Sequence, residues 1–430
     1  MKILISGGRV LDPARNFDQV CDVALDGATI VATGPVASSF GADQVIDATG
    51  CVVAPGLVDL SARLREPGYE HEGMLESELA AAVAGGVTAL VCPPDTDPIL
   101  DESGLVEMLR YRSERLRRAR VLPLGALTRQ LQGQVLCEML QLTEAGCVAF
   151  SQAEVPVADT LVLLRALQYA STFGCAVWLR PQERYLGEGV AASGAVATRL
   201  GLAGVPVAAE TIALHSIFEL VRATGARVHL CRISSAAGVA LVRQAKRDGL
   251  PVSCDVSINS LLLTDTDIGY FDSQMRLNPP LRQQRDRDAL SQALADGTID
   301  ALVSDHTPVD ADAKALPFAE SEAGATGLEL LLSLGLKWGR DSGAGLQRAL
   351  AVMTCGPAAV LGAAPGVPAG AGGLKPGGCA DICIFDEQAM WTVTPQALRS
   401  QGKHTPFAGY ELPARVRWTL VGGHVAYTAA

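Results

Sequence analysis

The sequence predicts an α/β protein: a (β/α)8 TIM barrel over residues 55–370, with a small β-sandwich domain built from both chain ends, residues 1–54 and 371–430. Three observations carry this. Eight short, continuously apolar runs alternate with helical stretches through the middle of the chain, the pattern of a parallel sheet buried on both faces. Closed on itself, such a sheet is a barrel. The two ends share a second texture, short apolar runs broken by turn residues. Finally, 430 residues with 49% apolar and 19% charged side chains can bury a large core, which excludes disordered, collagen-like and coiled-coil classes.

Taken in order, residues 1–55 read as strands and turns in KILISGGRVLD, QVCDVALDGATIVATG and QVIDATGCVVAPG. Asp26-Gly27 between two apolar runs marks a hairpin, because this pair accepts the positive φ angles of a tight turn. Candidate barrel strands follow at 52–60, 87–93, 120–127, 146–151, 175–180, 227–233, 251–256 and 300–305. Helical stretches lie between most of them, among them 72–86, 103–119, 160–174 and 236–249. The stretch AAPGVPAGAGGLKPGG (363–378) is a linker. Its GAGG (370–373) lacks the strand–turn–helix setting of a phosphate loop. Strand texture then returns in LKPGGCADICIFD and ARVRWTLVGGHVAYT.

Thirty-five basic against 46 acidic residues leave a net charge of −11, which argues against nucleic-acid and anionic-membrane partners. No apolar run reaches the ~18 residues of a membrane span, and the N-terminal run is too short for a signal peptide. Eleven cysteines without a CxxC pair read as buried free thiols of a reducing compartment, so a cytoplasmic location is expected. The low charged fraction hints that other chains cover part of the surface.

In a TIM barrel the chemistry sits at the C-terminal strand ends. There the segments PGLVDLSARLREPG (55–68), PPDTDP (93–98), LNPPLR (277–282) and SDHTP (304–308) resemble dihydroorotases, members of the amidohydrolase superfamily. GLKPGGCADICIFD (373–386) and HTPFAGYELPARVRWTLVGGHV (404–425) extend the resemblance in order along nearly the whole chain.

The resemblance implies where metal ligands would stand, and this chain departs there. The family ends its first barrel strand in His-x-His, a spacing that turns both imidazoles to one metal. Here the residues are Ser61, Ala62 and Arg63. At the later ligand positions stand Gln152, Arg180 and Arg232, and only the aspartate of the eighth strand remains, as Asp305. Neutral serine is a poor zinc ligand and protonated arginine is none. At ~4 Å and an effective dielectric of about 20, each arginine would repel a dication by about 8 kcal/mol. No bound metal is expected. Among substrate contacts implied by the family, Arg65 and Asn278 are kept, whereas Asp95 replaces an asparagine and Val309 a histidine.

Two readings of the arginines stand side by side. Arg63, Arg180 and Arg232 form buried ion pairs with Asp59, Asp305 and Glu183, or they line an anion pocket. His306 is a relic behind the former metal site. The other histidines (71, 215, 229, 404, 424) show no ligand spacing and take core or surface roles.

The functional expectation follows. The chain is a catalytically inactive dihydroorotase homologue, without a cofactor, retained as an assembly subunit. The resemblance implies the aspartate carbamoyltransferase catalytic chain of pyrimidine synthesis as its partner, in a hetero-oligomer with self-association. The alternatives are an active dihydroorotase with an atypical zinc site and Asp305 as base, and an anion-sensing module.

Overall fold

A computed structural model describes residues 1–36 and 40–429. The N-terminal strands are β1 (Lys2–Asp12), β2 (Phe17–Asp26), β3 (Thr29–Thr33), β4 (Gln44–Asp47) and β5 (Val52–Pro55). The barrel strands are β6 (Leu57–Asp59), β7 (Val87–Cys92), β8 (Arg120–Ala126), β9 (Ala149–Ser151) and β10 (Ala176–Leu179), then β13 (Arg227–Leu230), β14 (Val252–Ser257) and β15 (Ala301–Val303). Between β10 and β13 lies a small pair, β11 (Ala191–Ala192) with β12 (Gly204–Val205). The chain ends with β16 (Ile382–Thr392), β17 (Glu411–Val421) and β18 (His424–Thr428).

All eight expected barrel strands form, and they pair in parallel in the order β6 to β10, β13, β14, β15. Short residues beyond the first and last strands bring the ends together. Ala62 bridges His306 in parallel, Arg63 N–H donates to the His306 carbonyl (2.8 Å), and His306 N–H donates to the Ser61 carbonyl (3.2 Å). The expected helices cover Leu75–Ala84, Ser103–Arg115, Thr160–Phe173 and Ala236–Arg247. Asp159 and Ser235 cap the last two through their side chains, satisfying free backbone N–H groups of the first turn.

Both chain ends enter one eight-stranded sheet, ordered β18-β17-β16-β5-β1-β2-β3 with β4 beside β1. The seam is β5 against β16, antiparallel, with Val53 opposite Ile384 and Val52 opposite Phe385. Strand alternation sorts the side chains. Val53, Ile382 and Ile384 join Ile3, Ile5 and Leu25 in a core of the sheet's own. Val52, Ala54, Cys383 and Phe385 face the other way and pack into the main core with the barrel's helices.

The run 52–60, read as one strand, is two. The break is Gly56, whose N–H donates to the Asp381 carbonyl at 2.9 Å and where a Cβ would collide with the Thr88 side chain. That closeness lets the chain pass from sheet to barrel in one residue. No helix of the described residues is long and apolar enough to cross a membrane.

Candidate functional site

The barrel's C-terminal strand ends deliver six charged side chains to one place. Arg63 comes from beyond β6, Asp95 from beyond β7, Glu154 from beyond β9, Arg180 from the end of β10, Arg232 from beyond β13 and Asp305 from beyond β15. Three are cationic and three anionic.

Glu154 is the centre. Its Oε1 accepts from Arg63 Nη2 (2.8 Å) and from Arg232 Nη2; its Oε2 accepts from Arg180 Nη1 (2.6 Å) and Asn278 Nδ2 (2.9 Å). The arginines then reach outward. Arg63 Nε donates to Asp95 Oδ2 (2.9 Å) and its Nη1 to Thr307 Oγ1 (3.2 Å). Arg232 Nη1 donates to Asp305 Oδ1 (3.0 Å) and to the Asn278 carbonyl (3.2 Å). Arg180 Nη2 donates to Asn278 Oδ1 at 2.6 Å. The backbone that aims these groups is strained: Ala153, Arg232 and Asp305 have φ of 50°, 55° and 52°, a region non-glycine residues rarely occupy.

Burial and charge oppose each other throughout. Burial alone would push the Glu154 carboxyl up, but Arg232, Arg180 and Arg63 together hold it well below the usual carboxylate range. Burial likewise disfavours the charges of Arg63 and Arg232, and the paired carboxylates reverse this, raising both above the ordinary arginine value. For Arg180 burial wins over its single carboxylate partner and the value is lowered. Asp305 is raised by burial in spite of Arg232 and Arg63.

A cavity of about 240 Å³ opens over the cluster, lined among others by Arg65, Asp95, Glu154, Asn278 and Asp305. Chemically, its floor is a neutral lattice of ion pairs. Both Glu154 oxygens are engaged, and the guanidiniums have no lone pair to give.

The structure brings together Arg63, Arg180, Arg232, Asp95, Asn278 and Asp305, and leaves two positions outside. Gln152 turns away, accepting from Thr128 Oγ1 (3.0 Å) and donating to the Leu131 carbonyl (2.8 Å). Ser61 meets its neighbours through backbone, its N–H donating to Asp59 Oδ1 at 3.2 Å. Arg65 stands at the rim, its Nε between the Pro308 carbonyl (2.8 Å) and Glu72 Oε2 (2.7 Å), with Nη2 on Glu322 (3.1 Å).

Two of the expected ion-pair partners are wrong. Asp59 is fully buried behind the cluster and accepts from Ser304 and Ser61 instead of pairing with an arginine. Glu183 accepts the N–H groups of Tyr185 (3.0 Å) and Leu186 (2.7 Å) in its own loop. Only Asp305 pairs as expected, with Arg232. The residue that sequence reading passed over is Glu154. The available signal was charge balance: three converging arginines need acids at neighbouring strand ends, and Glu154 ends the segment that also holds Gln152.

His306 is fully buried, with Nε2 at 2.8 Å from Glu78 Oε2 and Nδ1 accepting from Gly327 N–H at 3.1 Å. Glu78 in turn accepts from Ser400 Oγ (2.5 Å) and Gln401 N–H (2.9 Å). This histidine therefore ties the barrel to the 400–401 segment from behind the strand ends.

A family model described as Dihydro-orotase-like matches residues 50–237. A dihydroorotase-like protein of Pseudomonas putida is 45% identical over 428 residues, 99% of each chain. A dihydroorotase of Geobacter metallireducens is 36% identical over 428 residues, 99% of this chain and 100% of its own. Among solved structures, the L-hydantoinase (dihydropyrimidinase) from Arthrobacter aurescens has a TM-score of 0.88 at 23% identity, covering 100% of this chain and 97% of that one, a likeness of fold.

Proposed function

The chain belongs to the dihydroorotase-like family, and from that premise we propose that it is a catalytically silent member serving as an assembly subunit. The observation that carries this is Glu154 held between Arg63, Arg180 and Arg232 at the barrel mouth. Zinc, the metal expected of an active relative, needs lone pairs converging on one point. The residues present do not fit it. Three positions offer guanidiniums, Gln152 faces elsewhere, and Asp305 Oδ1 and both Glu154 oxygens are taken up by arginine. Without a Lewis acid to ready water and polarise a ring amide, several kcal/mol of transition-state stabilisation are missing. An ion-pair lattice in that place keeps the mouth cross-linked, which preserves a surface while discarding chemistry.

The proposed partner is the aspartate carbamoyltransferase catalytic chain, in a mixed oligomer. The low charged fraction, 19%, supports a surface partly covered by other chains. Co-expression tests this. The two chains should purify together, removal of this chain should dissociate or inactivate the transferase, and this chain should show no dihydroorotase turnover. A transferase equally stable and active alone would overturn the partnership.

A second reading, an active dihydroorotase with an atypical metal set, is favoured by one observation: Asp305 still lines the cavity. Turnover accompanied by stoichiometric zinc at the strand ends would establish it.

A further inference from the structure

Inside the barrel, one layer below the arginine cluster, a different set of side chains meets. His229 stands on β13 and Cys231 lies two residues on, so both point to one side of the strand. Cys231 keeps the strand register, its N–H donating to the Leu179 carbonyl at 2.9 Å. Asp255 is on the adjacent β14, whose Ser253 is the register partner of His229. One ring nitrogen of His229, the Cys231 thiol sulfur and one Asp255 oxygen all lie within 4.8 Å of one another. His229 and Asp255 are 2% and 0% exposed. From the N-terminal end of the barrel a cavity of about 450 Å³ reaches His229, Ser253 and Trp178.

We propose that His229, Cys231 and Asp255 form a binding site for a divalent transition metal of zinc's class, separate from the strand-end cluster above. The donor set is one imidazole, one thiolate and one carboxylate, the mixture that suits a borderline-soft ion. Water would complete the coordination as a fourth ligand. Charge also matches: a thiolate and a carboxylate sum to −2 against the dication. Binding is an exchange in which a metal–sulfur bond forms, the Cys231 S–H bond breaks and one proton leaves to solvent.

The surroundings support each ligand. Asp255 Oδ1 is fixed by the Arg232 N–H at 2.7 Å, and Oδ2 faces the His229 ring. His229 Nε2 sits 2.8 Å from Oδ2 and Nδ1 sits 2.8 Å from Ser253 Oγ. Metal entry replaces the hydrogen bond between Nε2 and Oδ2: the ring proton moves to Nδ1 and is donated to Ser253 Oγ, the usual outer hydrogen bond of a ligating histidine, and Nε2 and Oδ2 turn their lone pairs to the ion. A bound dication favours the thiolate form of Cys231.

The test is a Co2+ titration of the full-length protein after chelator treatment and dialysis. One equivalent should produce thiolate-to-cobalt charge-transfer absorption with strong four-coordinate d–d bands and release one proton, and Zn2+ should bleach the spectrum. Cys231→Ser should lose the charge-transfer band. No such band at one equivalent, or a band that persists in a folded Cys231→Ser variant, would overturn the proposal, since ten other cysteines are present. Should Cys231→Ser fail to fold, X-ray absorption on the zinc-loaded unsubstituted protein decides. A shell with one sulfur supports the site, and a shell of only nitrogen and oxygen overturns it.

Discussion

Arg63 and Glu154 leave the barrel from its first and fourth strands, three places apart around the mouth, and meet with Nη2 2.8 Å from Oε1. Through this contact and those of Arg180 and Arg232, one carboxylate joins four of the eight strand ends. Among the described residues, the same acid is the only one shared by all three arginines. Its removal therefore uncovers three cations at once.

Glu154→Gln should destabilise the fold by about 3 kcal/mol at neutral pH. That is the low end for breaking a buried pair, because the Glu154 side chain keeps 30% of its surface accessible. Its folded-state value is depressed, so this stabilisation is present above the ordinary carboxylate range and fades as pH falls below it. Urea unfolding of both proteins should show the gap shrinking toward acid pH. A gap independent of pH would mean the charge is not what holds the mouth.

The three arginines should differ in worth. Arg232 bonds two carboxylates and Arg63 two, whereas Arg180 bonds one carboxylate, Glu154, and is the one whose protonated form burial disfavours overall. Arg180→Leu should cost about 1 kcal/mol or less, and Arg232→Leu about 3–5 kcal/mol by leaving Asp305 unpaired. Equal costs in chemical denaturation would contradict the assigned pairing.

Asp59 gives a signal of opposite sign. Burial raises its carboxyl from 3.8 to about 6, against the hydrogen bonds from Ser304 and Ser61. The folded state thus holds a proton that the unfolded chain has released, and this contribution is full below pH ~4 and lost as pH rises through about 6. Relative to the unsubstituted protein, Asp59→Asn should gain up to about 3 kcal/mol of stability between those limits. Unfolding midpoints measured from pH 4 to 7 check this, and a flat difference would count against it.

The end sheet should be inseparable from the barrel. Phe385 is fully buried on the face of β16 that packs into the main core. Phe385→Ala should cost about 3–5 kcal/mol through lost contact and the cavity left behind. One cooperative transition should persist, measured by calorimetry. Separate melting of sheet and barrel would show that the seam does not couple them.

Much of this architecture was legible in the residue order, because period and burial are local. Eight apolar runs such as VTALVC announced parallel strands, and Asp26-Gly27 announced the hairpin whose Gly27 has φ of 55°. The departure of Arg63, Arg180 and Arg232 from a ligand pattern was also visible, since guanidinium chemistry does not depend on context. Partnership was not. Whether Arg63 would meet Asp59, four residues away, or Glu154, 91 residues away, depends on how strand ends converge in space. Local sequence carries no record of that distance. The barrel's closure chose Glu154 as the shared anion, turned Gln152 aside, and set His229, Cys231 and Asp255 on two neighbouring strands, because side-chain direction follows strand register and register is fixed only when the sheet closes.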